Sequence, residues 1–304
     1  MDAGEQEGSC SYTQDEGAIY DYWRLEHMGL RIATNTTALN AQRQMSMTRA
    51  NLDKALERLA SGSRINHAGD DAAGLAISEN LRAQVRGIRQ AKRNAMDGVS
   101  LIQVSEGGLN EVSNILIRLR ELAIQSASDT IGDTERQFTD REFQSLKQEV
   151  DRIANATSFN GNSLLNGRAG IFEIQVGTKN NPILDRVIYN GERADASLDA
   201  LKLGGESVAT KQGAQLCLSV IDDALIRVNS IRADLGALQN RLQSTIQNLA
   251  ISDENLSSAN SRIRDTDLAE EVSEMTKQNI LMQAGISVLG QANNSNSAAL
   301  KLLG

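Results

Sequence analysis

The fold is decided by residues 81–123, which read LRAQVRGIRQAKRNAMDGVSLIQVSEGGLNEVSNILIRLRELA. An apolar residue recurs in this stretch at every seventh position without a break. The positions are Leu81, Ile88, Ala95, Ile102, Leu109, Leu116 and Ala123. Seven apolar positions in register over six heptads are typical of a long helix that packs along a second helix.

A second stripe of the same period lies in the last third of the chain. Its members are Ile221, Val228, Leu235, Leu242, Leu249, Leu256 and Ile263. Burying a Leu or Ile side chain contributes about 1.5–3 kcal/mol, so each stripe can supply on the order of 10 kcal/mol as an upper estimate. We therefore predict that the two stripes pack on each other as a coiled coil. The residues assigned to it are Leu81, Ile88, Ile102, Leu109, Leu116, Val228, Leu235, Leu242 and Leu249.

Two weaker stripes flank the strong ones. The first is Ala38, Met45, Leu52 and Leu59, and the second is Leu268, Met275, Met282 and Leu289. They have fewer large anchors and include several alanines and methionines. Helices of this kind are marginal when isolated in water. We expect both terminal segments to need a partner surface.

Turn signals separate these stripes. Ser61-Gly62-Ser63 indicates the end of a helix, and Asp70-Asp71 before two alanines indicates an N-cap for the next one. Residues 129–157 have the pattern of a further amphipathic helix.

The pattern changes to β at residues 159–191. Asn-Gly, a strong hairpin signal, occurs at 160–161, 166–167 and 190–191, and the candidate strands are 171–176 and 187–189. The predicted fold class is mainly α: a long antiparallel coiled-coil or helical-bundle rod with paired N- and C-termini. A small β-hairpin region, about 159–210, lies in the middle of the chain.

The composition favours a structural protein. Aromatic residues make up 3% of the chain, hydrophobic residues 40%, and Pro182 is the single proline. A core of this kind is built from aliphatic side chains on helices that nothing interrupts. The net charge of −8 argues against nucleic-acid binding, and no apolar run approaches the roughly 20 residues of a membrane span.

No constellation of residues suggests catalysis. The two histidines, His27 and His67, are far apart, and Cys10 and Cys217 form neither a disulfide framework nor a metal-ligand pattern. We expect Cys217 to be a small buried hydrophobe. Motifs of zinc peptidases, phosphate loops and serine hydrolases are absent from the sequence. We therefore predict no catalytic residue, metal or cofactor, and a protein that is not an enzyme.

Residues 1–27 differ from the rest. They hold seven acidic residues and one basic residue, a net charge of −6, together with the only Trp and three of the four Tyr. The segment lacks the apolar region of a secretory signal peptide. We expect Met28 to be the authentic start and residues 1–27 to be an artefact of start-site assignment or an added segment, the alternative being a genuine extension.

Several short segments of the sequence resemble segments of bacterial flagellins. They occur at residues 28–43 (MGLRIATNTTALNAQR), 59–66 (LASGSRIN), 70–77 (DDAAGLAI), 119–123 (LRELA), 159–161 (FNG), 164–165 (LL), 264–267 (RDTD) and 299–304 (ALKLLG). The resemblance extends over essentially all of 28–304 apart from the segment near 178–210. With about 40 residues between Gly170 and Gln212, the large outer domains of many flagellins have no room. The chain is similar to a minimal flagellin.

The resemblance implies a filament subunit that is exported unfolded through the flagellar type III apparatus. It implies a filament-core domain of residues 28–69 and 268–304, which assembles through Ala38, Met45, Leu52, Leu59, Leu268, Met275, Met282 and Leu289. Residues 70–267 would form the rod domain. The implied partners are the chain itself, with or without other flagellins, an export chaperone at the C-terminal segment, the filament cap and hook-associated proteins. The implied location is secreted, in the flagellar filament.

The resemblance also implies a contact with the flagellin-sensing Toll-like receptor. Arg118, Leu122 and Glu149 match the family's contact pattern, whereas Ile117 stands where glutamine is expected. Ordinary packing explains the same residues.

Other readings of the chain remain. A hook–filament junction protein shares the terminal helices, and an enzyme carried in a flagellin-like shell would need a metalloprotease insert. A coiled-coil adhesin or secretion-needle subunit would explain the heptads but not the sequence segments of the hairpin region.

Overall fold

The computed structural model describes residues 34–303, with side chains through residue 294. Residues 1–27, with Cys10 and His27, lie outside the described residues, and so do the side chains of the flagellin-like segment 299–304. Five helices occur between residues 34 and 303: α1 (Thr36–Ser61), α2 (Ala72–Ala127), α3 (Asp133–Ala156), α4 (Lys211–Arg264) and α5 (Leu268–Leu303). The strands are β1 (Ser158–Phe159), β2 (Asn162–Ser163), β3 (Ile171–Gln175) and β4 (Arg186–Asn190). The predicted fold class, mainly helical with a small β region in mid-chain, is confirmed.

The chain divides into two compact units. Unit 1 combines the described residues up to Asp71 with those from Asp265 onward, and unit 2 spans Ala72–Arg264. Helices α1 and α5 pair within unit 1, and α2 and α4 pair within unit 2.

The pairing in unit 2 is antiparallel. Glu79 contacts Arg264, Arg89 lies 3.1 Å from Asp253, and Arg120 lies 2.7 Å from Asp222, so residue numbers fall along α4 as they rise along α2. The predicted packing of the two strong stripes on each other is confirmed. Their central members Ile102, Leu109, Leu116, Ile221, Val228 and Leu242 are fully buried.

Helix α1 is capped at both ends. The Asn35 side chain accepts a hydrogen bond from the Ala38 N–H at 3.0 Å, which satisfies one free donor of the first turn. At the other end Gly62 has φ 68°, a left-handed conformation that glycine adopts at no steric cost, and its N–H donates to the Arg58 carbonyl. The predicted helix stop at 61–63 is confirmed.

Of the acidic pair predicted to cap α2, Asp70 bonds to the loop before it, and Asp71 is the residue directly before Ala72, where α2 begins. Its carboxylate accepts the backbone N–H groups of Asn66 and His67, at 3.4 and 3.2 Å, on the N-terminal side. These bonds hold the pKa of Asp70 below its ordinary value, the His67 bond most strongly. Asp70 thus closes the loop that follows α1.

The β region holds two hairpins of different construction. β1 and β2 join through Asn160-Gly161, whose φ values of 50° and 83° fit a type I′ turn, so the first Asn-Gly prediction is confirmed. The other two Asn-Gly pairs do not turn a hairpin. Asn190 is the last residue of β4, paired with Ile171, and β3 joins β4 through the longer loop 176–185.

The β region and the residue before it pack on α2 at notches formed by two glycines, Gly98 beneath β3 and Gly108 beneath Thr157. A Cβ on Gly98 would lie 2.6 Å from the Ile174 Cδ1, and one on Gly108 would lie 2.6 Å from the Thr157 Oγ1. One face of the hairpin, with Val187 and Tyr189, is buried. Tyr189 donates to the Leu164 carbonyl at 3.0 Å, so its hydroxyl is satisfied in the core.

Candidate assembly surfaces

The weak terminal stripes lie on the α1–α5 pair of unit 1. Of the eight residues predicted for filament-core assembly, Leu52 alone is buried, and Leu268 is 57% exposed. The other six are partly buried: Ala38, Met45, Leu59, Met275, Met282 and Leu289. The two helices run antiparallel, since Asn35 donates to the Ala292 carbonyl at one end and Ser63 bridges Asp265 at the other.

The seam between these helices is thin and partly polar. α1 buries Thr48, Leu52 and Ala55. Within 268–294, α5 buries two side chains, Glu271 and Gln278, and neither is apolar. By contrast α2 buries eighteen residues, so the apolar burial that stabilises a coiled coil is concentrated in unit 2.

A row of exposed apolar side chains runs along α5. Leu268, Val272, Ile280 and Val288 are spaced by four or eight residues, and all are exposed. Each step of four residues drifts by about 40° around the axis, so this row winds around the helix instead of keeping to one face. The row also includes Thr276 and the exposed Ala284, and it carries no charged side chain. A soluble protein rarely leaves so many apolar side chains of one helix open to water, and such a row marks a binding surface.

The nine residues predicted for the coiled coil all lie on α2 and α4. Ile88, Ile102, Leu109, Leu116, Val228, Leu235 and Leu242 are buried, while Leu81 and Leu249 are partly buried. The stripe therefore packs tightly in its middle and loosens toward one end of the pair.

The three residues expected to contact the receptor differ in how far they are exposed. Arg118 is exposed and bound to Glu121 and Glu142, which together raise its pKa. Glu149 is partly exposed and lies 2.6 Å from Arg152, whose hydrogen bond lowers its pKa. Leu122 is 2% exposed and belongs to the core. Only the two charged residues present atoms at the surface of the subunit.

Two buried cations were missed by sequence reasoning. Arg136 donates to the Ser126 and Ser128 carbonyls at 2.9 and 2.8 Å, closing the C-terminal end of α2. Lys147 donates to the Gly204 and Glu206 carbonyls at 3.1 and 2.8 Å. Charged residues on an amphipathic helix are usually exposed, so no local signal distinguishes these two.

Lys147 lies near the buried Cys217. The prediction that Cys217 is a small buried hydrophobe is confirmed, because it is fully buried. Burial raises the pKa of its thiol to about 12. Burial also lowers the pKa of Lys147. A thiol held in its protonated form is unreactive, so the residue acts in packing.

Within residues 34–303, no helix is long and apolar enough to cross a membrane. The same part of the chain contains no group of three or more His, Cys, Asp or Glu side chains placed to hold a metal ion.

Comparison with known proteins gives the family. Residues 32–169 match the bacterial flagellin N-terminal helical region, and residues 218–303 match the bacterial flagellin C-terminal helical region. A flagellin of Halalkalibacterium halodurans is 45% identical over 269 residues, covering 88% of this chain and 98% of the relative. The flagellin of Bacillus subtilis is 41% identical over 303 residues, covering 90% and 100%. A crystal structure of Bacillus cereus flagellin aligns with 31% identity and a TM-score of 0.46 over 52% of this chain and 88% of that chain. The chain belongs to the bacterial flagellin family.

Proposed function

We propose that this chain is a structural subunit that self-assembles into the helical bacterial flagellar filament for swimming motility. It is secreted and acts in the filament outside the cell. The observation that carries the proposal concerns α5. None of its apolar side chains from 268 to 294 is fully buried within the subunit, and a row of exposed, uncharged side chains winds along the helix.

The mechanism follows from the difference between the two units. Unit 2 has its own core and holds its shape in the subunit. In unit 1, α1 and α5 bury little against each other, so ordering them costs conformational entropy that the pair alone offsets poorly. Burying each Leu, Ile or Val of the exposed α5 row against neighbouring subunits contributes about 1.5–3 kcal/mol. Assembly therefore supplies the stabilisation that the single subunit lacks.

The two units take separate roles in this proposal. Residues 28–69 and 268–304 form the filament core, and residues 70–267 form the rod domain that carries the β region. The residues expected to act in the core are the eight of the terminal stripes, with Leu268 and its exposed neighbours making the contacts between subunits.

Export and capping add further partners. The chain passes unfolded through the flagellar type III apparatus, and the weak seam of unit 1 keeps the cost of unfolding its ends low. An export chaperone covers the apolar C-terminal segment before assembly. The filament cap and the hook-associated proteins meet the subunit at the two ends of the polymer.

A contact with the flagellin-sensing Toll-like receptor can involve Arg118 and Glu149 directly. Leu122 would act from beneath, by packing α2 in place. Ile117, 49% exposed, offers no polar group where the family's glutamine stands. We expect recognition weaker than that of a chain with glutamine at this position.

Seeded growth tests the proposal. Purified full-length monomer is added to short filament fragments, and elongation is followed by electron microscopy. Deletion of 268–304 should abolish growth, while circular dichroism still reports the helices of unit 2. Normal polymerisation of the truncated chain would contradict the proposed assembly mechanism.

A variant with three substitutions tests the exposed apolar side chains of α5 without deleting the helix. Changing Val272, Ile280 and Val288 to Ser should slow elongation by roughly tenfold or more, because each loses apolar burial between subunits. The matched control changes Lys277 and Gln283, exposed polar residues of the same helix, to Ser. The control should elongate at close to the wild-type rate.

A further inference from the structure

Three Asn-Gly pairs lie in the β region, at residues 160–161, 166–167 and 190–191. An asparagine before glycine is prone to lose its side-chain amide without an enzyme, because glycine has no side chain to obstruct the backbone nitrogen that attacks the Asn Cγ. In a folded protein the reaction also requires a free Asn side chain and an accessible glycine nitrogen. The three pairs differ in both respects.

The third pair, Asn190-Gly191, is held within the hairpin of β3 and β4. The Asn190 side chain accepts the N–H groups of Glu192 and Arg193 at 3.0 and 3.3 Å. The Gly191 N–H donates to the Gly170 carbonyl at 2.9 Å, and Gly191 is buried. The amide that would be attacked and the nitrogen that would attack it are therefore both engaged in hydrogen bonds.

The second pair, Asn166-Gly167, is held by fewer contacts. The Asn166 side chain accepts the Arg168 N–H at 3.1 Å, and this bond must break before Cγ can turn toward the glycine nitrogen. Gly167 is partly buried, and a Cβ there would lie 2.5 Å from the Asp195 Oδ2. The close approach of Asp195 leaves this turn little room to rearrange.

The first pair, Asn160-Gly161, is free in both respects. Asn160 and Gly161 are exposed, and open space surrounds the place of a Cβ on Gly161. Among residues 34–294, neither the Asn160 side chain nor the Gly161 N–H has a hydrogen-bond partner. The strand pairing that closes this turn is made by Phe159 and Asn162 on either side of it.

From these differences we propose that Asn160 is a site of spontaneous deamidation in the folded protein, and the first of the three pairs to react. The Gly161 nitrogen gives up its proton and attacks the Asn160 Cγ. The new C–N bond closes a succinimide ring, and the Nδ2 group leaves as ammonia. Water then opens the ring, and solvent is the only co-reactant.

Ring opening gives two products. Attack of water at Cγ breaks the new C–N bond and gives aspartate with the original backbone. Attack at the backbone carbonyl carbon of residue 160 breaks the original peptide bond and gives isoaspartate, in which the chain continues through Cγ. In both cases an amide and a water molecule have become a carboxyl group and ammonia.

The two products differ in what they do to the hairpin. Aspartate, like asparagine, tolerates the positive φ of 50° at this position. Isoaspartate adds one carbon to the backbone of a two-residue turn, whose length sets the pairing of Phe159 with Asn162. Phe159 packs against the core, and the fully buried Leu164 follows β2 directly. Isoaspartate should therefore loosen the hairpin of β1 and β2, whereas aspartate only adds a negative charge.

Ageing of the full-length monomer tests the site, and it does not depend on filament assembly. The protein is incubated at mildly alkaline pH, once folded and once unfolded in guanidinium chloride, and is then digested with trypsin for mass spectrometry. Fragmentation of peptide 153–168 distinguishes Asn160 from Asn166, and peptide 187–193 reports Asn190. The unfolded chain supplies the intrinsic rate of each pair, so the ratio of the folded rate to the unfolded rate measures the protection by the fold.

Asn160 should react first in the folded protein and show the least protection of the three pairs. Asn190 should react roughly tenfold or more slowly when folded than when unfolded, because local opening must precede its reaction. Folded protein in which Asn166 or Asn190 reacts before Asn160, or in which the three are equally protected, would overturn the proposal. So would an Asn160 that reacts in the unfolded chain and stays intact in the folded one.

Two variants give independent evidence. Asn160→Gly keeps a sequence that supports this turn type, so it should retain the wild-type circular dichroism and lose the early mass increase of peptide 153–168. An increase at the wild-type rate in that variant would contradict the assignment. Asn160→Asp should unfold at close to the wild-type urea midpoint, whereas aged protein enriched in isoaspartate should unfold at a lower one. Equal midpoints would refute the effect ascribed to the longer turn.

Discussion

Two adjacent glycines of α2, Gly107 and Gly108, should respond in opposite ways to the same substitution. Gly107 has open space where a Cβ would lie, and it is exposed. Alanine there removes the entropic cost of glycine inside a helix, so Gly107→Ala should stabilise the protein by about 0.5–1 kcal/mol.

Alanine at position 108 gains the same stabilisation of the helix, but its Cβ would meet packed side chains. Its Cβ would lie 2.6 Å from the Thr157 Oγ1 and 2.8 Å from the Leu165 Cδ1. Thr157 is held by its 2.7 Å bond to the Ile153 carbonyl, and Leu165 is fully buried, so neither moves easily. Overpacking of this kind costs about 1–3 kcal/mol. Because the helical terms cancel between the variants, Gly108→Ala should be less stable than Gly107→Ala by about 1–3 kcal/mol.

The assay is urea unfolding of both full-length variants, followed by the helical circular dichroism signal at 222 nm. The midpoints are compared at equal slope, since a change in slope would signal a change in the unfolding transition itself. A Gly108→Ala protein as stable as the Gly107→Ala protein would refute the argument that the β region packs directly on this notch.

Three further predictions concern side chains that the structure singles out. Arg136→Met should destabilise the protein by about 1–3 kcal/mol in urea unfolding, because it leaves two carbonyls at the end of α2 without donors, whereas Arg141→Met, which is exposed, should change stability by less than about 0.5 kcal/mol. Folding raises the pKa of Cys217 from 9.0 to about 12, so its contribution to stability is present below pH 9 and lost as the pH rises through 12; Cys217→Ala should remove that part of the alkaline stability loss. Folding lowers the pKa of Asp70 below 3.8 through the His67 N–H, so its contribution is present above that pH and lost on further acidification; Asp70→Asn should weaken the acid dependence measured by circular dichroism.

The sequence predicted the features that depend on apolar periodicity. The heptads through Ile102 and Leu109, and through Val228 and Leu242, required a long partner helix because neither stripe can be buried alone. The antiparallel α2–α4 pair follows from that requirement. The turn at Asn160 was equally predictable, since its geometry depends on two residues and not on distant contacts.

Features that depend on tertiary contacts could not be predicted. Asp70 turned toward the N–H groups of the preceding loop instead of the following helix, a choice that two adjacent acids leave open. Asn190 carries a hairpin signal, but the ten-residue loop before it makes the turn through Asn181 and Asp185. Helix α3 begins at Asp133, four residues later than the pattern indicated, and its first turn is fixed by the buried guanidinium of Arg136.

The assembly surfaces were predicted in part. The sequence marked both terminal stripes as weak, because alanine and methionine supply little burial, but it did not show which side of α5 would face α1. Leu268, taken from the heptad as a seam residue, is exposed, while the polar Glu271 and Gln278 are buried.

The central claim is that α1 and α5 reach full stability only when neighbouring subunits cover them. Amide hydrogen exchange, compared between monomer and filament with peptide-level resolution, tests it most directly. The account predicts weak protection of residues 36–61 and 268–303 in the monomer, strong protection of the same residues in the filament, and protection of α2 and α4 in both states. Equal protection of α5 in monomer and filament would contradict it.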